Sequence, residues 1–177
     1  MEENQRLEGM VKDIKVYMDL FQNEPNTGSV DFSEIISDVL RRLKEEGTNG
    51  RVEIVISIEK DATLLKGDRH ELTHLFYYLI QNSMEAAGTD NPKITITSEL
   101  DSDSPHYVRI VIFNTGEVPK EKVENLFSPF FSTKLKGTGF GLPIAQVVVR
   151  KHLGRLEIKP LPGKGTSVIV SLPKAAS

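Results

Sequence analysis

The 177-residue sequence contains no cysteine, which removes disulfide frameworks, thiolate zinc sites and cysteine nucleophiles in one step and fits a reducing compartment. Long apolar runs are missing as well. The longest, Leu75 to Ile80, falls far short of the roughly 18 residues that a membrane span needs, and the acidic N-terminus does not resemble a signal peptide. An excess of one charge is also lacking: Lys plus Arg is 22 and Asp plus Glu is 25, a net of −3. That balance gives no electrostatic case for a nucleic-acid partner or an anionic membrane surface. The length suits one domain of the usual size, about 100 to 200 residues, with enough chain to bury a sizeable core. The expectation is a soluble, cytoplasmic domain with no nucleic-acid partner and no membrane contact.

Apolar residues at Leu7, Val11, Ile14, Met18 and Phe21 alternate steps of four and three, the seam of a helix that packs along another helix. Pro25 and Gly28 within Asn23-Glu24-Pro25-Asn26-Thr27-Gly28 break that helix. The expected organisation is therefore a helix over 1–23, a linker over 24–29 and a folded domain over 30–177. So short a helix cannot bury its seam alone, so it reads as one arm of a larger bundle. In the domain, Ser33 is expected to cap a helix ending near Gly47. Val52, Ile54, Ile56 and Ile58 mark a half-buried strand. Asp68 to Ala87 reads as a long helix, and Ile94–Thr97 with Val108–Phe113 as β-branched strands around a polar hairpin. Arg155–Lys159 and Ser167–Leu172 close the chain around Pro162-Gly163-Lys164-Gly165 as a second hairpin. The pattern predicts an α+β fold with a mixed sheet covered by helices on one face.

Three places depart from a generic fold. In the long helix, the stripe Leu72, Leu75, Leu79 continues into Asn82 before Ala86. A buried Asn can be structural, but its carbonyl is also a hard oxygen ligand suited to Mg²⁺, which takes one or two protein oxygens and completes its shell with phosphates and water. Second, Lys136-Gly137-Thr138-Gly139-Phe140-Gly141-Leu142 leads directly into the helical Pro143-Ile144-Ala145-Gln146. Such glycines let backbone approach an anion, and the helix behind offers unpaired N–H groups. The spacing is neither a Walker loop nor a dinucleotide loop. Just before it, Leu126-Phe127-Ser128-Pro129-Phe130-Phe131-Ser132-Thr133-Lys134 reads as a flap with hydrophobic anchors. Third, Asn114-Thr115-Gly116-Glu117 ends a strand in what could be only a turn.

In that order, Asn82, Asn114-Thr115-Gly116, Phe127 to Phe131, Gly137 to Leu142 and Gly165-Thr166 resemble the N, G1, F, G2 and G3 boxes of sensor histidine kinases, across roughly Val30 to Pro173. The family belongs to the superfamily shared with gyrase, Hsp90 and MutL. The resemblance implies a two-layer α/β sandwich of the Bergerat type that binds ATP with Mg²⁺. It implies that Asn82 holds the metal, that Asn114 stands where an Asp usually reads the adenine amino group, and that Gly116 admits the nucleotide. Thr166 would lie near the adenine. Gly137, Gly139 and Gly141 would meet phosphates through backbone amides within the stretch that also holds Thr138, Phe140 and Leu142. Phe127 and Phe131 would anchor the flap, and Lys134 and Lys136 could pair with phosphate oxygens.

The sequence also departs from that family. Asn114 lacks the charge of the usual Asp, and Glu117-Val118-Pro119 replaces the second glycine of the turn. Tyr78 stands one turn before Asn82, where many sensor kinases have Asn and hydrolytic relatives a Glu. Without that carboxylate, phosphotransfer is favoured over hydrolysis. By the same resemblance, the seam helix is the second helix of a dimerisation and phosphoacceptor hairpin whose histidine-bearing helix lies outside this chain. The partners implied are that hairpin, a second copy in a homodimer, and a response regulator. Two other readings compete. A regulatory scaffold with a degenerate nucleotide site would accommodate Asn114 and the shortened turn. A zinc protease would use His70-Glu71-Leu72-Thr73-His74, a literal His-Glu-x-x-His that still needs a third ligand.

Overall fold

The structure is a computed structural model and describes residues 2–47, 52–131 and 138–176. The chain opens with helix α1 (Glu2–Gln22). Strand β1 (Gly28–Asp31) follows and runs straight into helix α2 (Phe32–Glu45). The cap of α2 is Asp31, two residues before the expected Ser33: its Oδ1 accepts from the Ser33 N–H at 2.8 Å, and the Ser33 hydroxyl bonds the same oxygen. A carboxylate accepts these donors more strongly than a serine hydroxyl can. Beyond strand β2 (Glu53–Ile58), strand β3 (Leu64–Gly67) pairs antiparallel with β1. Neither member of this small sheet was expected. Each delivers an aspartate cap to a helix, because Asp68 after β3 caps helix α3 (Arg69–Ala86) as Asp31 caps α2. Within the stretch expected as a linker, Gly28 and Ser29 lie in β1, and Asp68 Oδ2 accepts from the Asn26 N–H at 2.9 Å.

The main sheet takes the order β2-β4-β5-β7-β6, built with β4 (Lys93–Leu100), β5 (Tyr107–Asn114), β6 (Arg155–Leu161) and β7 (Gly165–Pro173). The β2–β4 pair is parallel and the others antiparallel, so the sheet is mixed, as expected. Its alternation decides the layering. Ile94 and Ile96 on β4, Val108, Ile110 and Ile112 on β5, and Val168, Val170 and Leu172 on β7 are buried under the helices. The intervening positions carry ion pairs such as Arg109 with Glu99 and Lys159 with Glu157. One covered and one open face is what a period of two yields when a single helical layer packs on the sheet. At the β2 edge the expectation is only half met, because Ile56 is exposed while Ile54 and Ile58 pack on the core. An edge strand paired on one side only leaves that position open.

Helix α4 (Gly141–Lys151) lies beside α3, and α2 lies on its other side. Before α4, residues Lys120–Phe127 form 3₁₀ turns that lead into the segment expected as a flap, which begins at Leu126. The inward row of β5 ends in Asn114 and that of β7 in Thr166, which face each other across the ladder. Two polar side chains thus finish an apolar face at the same end of the sheet.

Candidate functional site

Helix α3 sorts its residues by the 3.6 period into two faces. Leu72, Leu75, Phe76, Leu79 and Ile80 are wholly buried. His74, Tyr78 and Asn82, one turn apart, instead line a cleft of about 550 Å³. Asn82 is therefore half-buried on a cleft wall, not inside the core as its place in the leucine stripe suggested. The facing wall is the start of α4: Thr138, Gly139, Gly141, Leu142 and Pro143, with Leu126 and Phe131 at the rim. Gly139 has φ +76°, and a Cβ on it would stand 2.6 Å from the Phe130 carbonyl carbon. A Cβ on Gly141 would point 3.2 Å from the Tyr78 ring. Gly139 is thus required by packing within the protein, while Gly141 sits in tight contact with the Tyr78 ring. Unlike α2 and α3, helix α4 has no side-chain cap; Pro143 carries no N–H and the Ile144 N–H bonds the Phe140 carbonyl at 2.9 Å, so Gly141 and Leu142 are the positions whose N–H groups, with the positive dipole end, face an anion.

Two cations share the cleft, Lys12 from α1 and Arg42 from α2. The Arg42 guanidinium lies 4.1 Å from the centre of the Tyr77 ring and bonds Glu46 at 3.0 Å. Burial, reinforced by its bond to Asp13, pushes the Tyr78 phenol above its ordinary range, and burial with the Glu46 contact does the same for Tyr77. Both remain hydrogen-bond donors at physiological pH. Burial, helped by His70, Arg42 and Lys12, pushes the His74 imidazole down to about 4, so it is neutral there.

The G1 and G3 residues form a second cluster at the C-terminal end of α3. Asn114 Oδ1 accepts from the Gly116 N–H at 3.0 Å, and the Thr166 hydroxyl donates to the Gly116 carbonyl at 2.8 Å. A Cβ on Gly116 would fall 1.6 Å from the Ala86 carbonyl oxygen. Only glycine fits against that helix end. The replaced second glycine has left a turn held by side chains instead: Thr115 bonds Ala87 O, and Glu117 accepts from the Gly163 N–H.

The His-Glu-x-x-His pattern does not assemble a zinc site among the described residues, where no group of three potential metal ligands occurs. His70 and His74 meet ring edge to face at 4.5 Å, but Glu71 is buried and ion-paired with Lys151.

Residues 67–176 match the family model described as histidine kinase-, DNA gyrase B- and HSP90-like ATPase. The chain belongs to this family. It is 34% identical over 116 residues to sporulation kinase C of Bacillus subtilis, covering 65% of this chain and 26% of that protein. To sporulation kinase A of the same organism it is 29% identical over 146 residues, 82% of this chain and 23% of that protein. It thus spans about a quarter of the length of these curated relatives. Among solved structures, the catalytic domain of histidine kinase ThkA superposes with a TM-score of 0.72 at 30% identity, over 84% of this chain and 96% of that one. This histidine-kinase-type ATP-binding domain brings Tyr78, Asn82, Phe131, Thr138, Gly139, Gly141 and Leu142 of the expected site into one cleft. Phe140 is buried behind it, stacked edge-on between Phe130 and Tyr17. Phe127 lines a neighbouring groove with Tyr17 and Leu20 of α1. Asn114, Gly116 and Thr166 form the separate cluster described above, and Lys134, Lys136 and Gly137 lie outside the described residues. Sequence reasoning missed Lys12, Asp13 and Arg42, and weighed His74 only as a zinc ligand. The available signal was a second face on α1, Met10, Asp13, Tyr17 and Leu20, interrupted by one acid.

Proposed function

We propose that the cleft binds the phosphates of Mg-ATP and that the domain passes the γ-phosphoryl to a histidine on a dimerisation helix outside this chain, for relay to a response regulator. One observation carries the reading: the Asn82 amide, the uncapped start of α4 and the cations Lys12 and Arg42 converge on one cleft. The donor set fits Mg²⁺, since the Asn82 carbonyl is a hard oxygen on a partly solvated wall, leaving room for the phosphates and waters that this ion retains. Bound there, Mg²⁺ would neutralise charge on the phosphate oxygens. The protein's own part is positioning. Backbone amides of Gly139 and Gly141 would receive phosphate oxygens, Arg42 would balance their charge, and Lys134 and Lys136 would add to it. Tyr78, kept protonated, provides no base to activate water, which favours transfer over hydrolysis. Asn114, Gly116 and Thr166 would form the adenine end, with Phe127 and Phe131 anchoring the segment over the cleft.

In this reading α1 is the second helix of the dimerisation hairpin, followed by the linker over 24–29 and the catalytic domain from residue 30. ThkA in complex with response regulator protein TrrA resembles this chain over 98% of its length, TM-score 0.75 at 28% identity, so the likeness includes α1. Calorimetric titration with a non-hydrolysable ATP analogue, with and without Mg²⁺, tests the site. Saturable one-to-one binding that loses its Mg²⁺ dependence in Asn82→Ala is expected, and the same substitution in the full-length protein should abolish histidine phosphorylation. Undiminished phosphorylation would remove Asn82 from the reaction, and no binding at millimolar nucleotide would leave a regulatory scaffold as the better reading.

A further inference from the structure

Helix α1 presents two faces. Leu7, Val11, Met18 and Phe21 of the seam are exposed, while Tyr17 and Leu20 turn toward the domain, where Tyr17 stacks edge-on against Phe140 at 5.6 Å and Leu20 is buried. Asp13 occupies this inner face where its step of three and four calls for an apolar residue. Its carboxylate bridges the two walls of the cleft: Oδ1 accepts from the Tyr78 hydroxyl on α3 at 2.5 Å, and Oδ2 accepts from the Thr138 hydroxyl ahead of α4 at 2.5 Å. Arg42 and the neighbouring Lys12 line the same space.

We propose that Asp13 is a built-in competitor for the phosphate end of this cleft, so that docking of α1 and binding of a nucleoside triphosphate oppose each other. The inference rests on the nucleotide-site reading above. A carboxylate in this position takes what a phosphate would take: two hydroxyl donors, the field of two cations and the dipole end of α4. Bringing a triphosphate to the same space sets several negative charges beside one fixed negative charge between partly desolvated walls, where screening is weak. Either the phosphates bind against that repulsion or α1 withdraws Asp13, and both routes lower affinity. Other ties of α1, among them the buried Leu20, the Tyr17–Phe140 contact and the Lys151 bond to the Asn23 carbonyl at 2.8 Å, are independent of the carboxylate. Loosening one of them therefore lightens the competition without touching the cleft.

The test is calorimetric titration of the 177-residue chain with a non-hydrolysable ATP analogue and, separately, with adenosine, each with and without Mg²⁺. Asp13→Asn keeps an acceptor oxygen and removes the charge. It is expected to bind the triphosphate about tenfold tighter, equivalent to about 1.4 kcal/mol, with adenosine affinity unchanged. Tyr17→Ala, which weakens docking from outside the cleft, is expected to tighten triphosphate binding in the same direction. Equal affinities of wild type and Asp13→Asn for the triphosphate would overturn the proposal while leaving the nucleotide site intact. Weaker binding by Asp13→Asn only in the presence of Mg²⁺ would make Asp13 a metal ligand and overturn it too. Absence of nucleotide binding by wild type and variants alike would remove the nucleotide site and the competition together.

Discussion

His74 stands one turn before Tyr78 on the cleft wall, and its depressed titration makes it a measurable probe of that wall. An unfolded histidine titrates near 6.5, whereas folding moves His74 to about 4 by burying it beside His70, Arg42 and Lys12. Between these values the unfolded chain binds a proton that the folded chain refuses, so stability must fall as pH drops from about 6.5 to about 4 and level off below. Asp31 and Asp68 act lower. The Ser33 hydroxyl and backbone N–H groups hold Asp31 below the usual carboxylate range, and backbone donors at Glu71, Asn26 and His70 outweigh burial to do the same for Asp68. Their contribution is complete above about pH 4 and is lost as pH falls through their folded values. Urea unfolding from pH 7 to 4 should therefore show a falling midpoint that His74→Gln flattens, while the loss below pH 4 persists. Identical slopes for wild type and variant would show that His74 is not desolvated. Asn82 and the glycines ahead of α4 were legible in the sequence because each breaks a local pattern. Asp13 and Arg42 were not, because each becomes a cleft residue only through the docking of elements far apart in the chain.

Elements whose alternation spans the covered and open faces of the sheet, β4 with β5 and β6 with β7, were readable from composition alone, as was α3 between its Asp cap and Ala87. The four-residue strands β1 and β3 were not. They are too short to show a period, and Gly28 at the start of β1 reads as a turn. Their consequence is a junction that no single element explains. Lys151 at the end of α4 reaches both the buried Glu71 carboxylate at the start of α3 and the Asn23 carbonyl at the end of α1. His152 beside it accepts from the Asp68 N–H at 2.9 Å and lies 3.8 Å from Glu71. Lys151→Met would leave Glu71 buried without its cation, a loss on the order of 3–5 kcal/mol. Adding Glu71→Gln to Lys151→Met should recover most of that loss in urea unfolding, since the stranded charge, not the missing bond, dominates the cost. A double variant as unstable as Lys151→Met alone would instead assign the loss to the tie on Asn23 and to packing.

For the molecule as a whole, α1 is where the cleft between α3 and α4 meets the surface that the expected seam leaves open. Val11 is 67% exposed, Phe21 64% and Leu7 55%, an apolar stripe along a helix whose other side is already docked. Scattered exposed apolar residues need no explanation, but a continuous stripe at heptad spacing marks an interface. The two faces meet at the end of the helix, where Tyr17 stacks edge-on against Phe21 at 5.1 Å, so the substitution that separates them belongs further from that contact, at Val11. Val11→Asp introduces a charge on the open face and touches nothing in the domain. The unfolding free energy of the 177-residue chain should therefore stay within about 0.5 kcal/mol of wild type, with nucleotide affinity unaltered. If α1 is the dimerisation helix proposed above, the same substitution in the full-length protein should abolish dimerisation, measured by sedimentation equilibrium, because a carboxylate would face the apolar seam of its partner helices without a counter-charge. Tyr17→Ala should behave in the opposite way, leaving the dimer intact while changing triphosphate affinity. If Val11→Asp destabilised the isolated domain or altered its nucleotide affinity, the two faces would be coupled, and the seam would serve the cleft instead of a second helix.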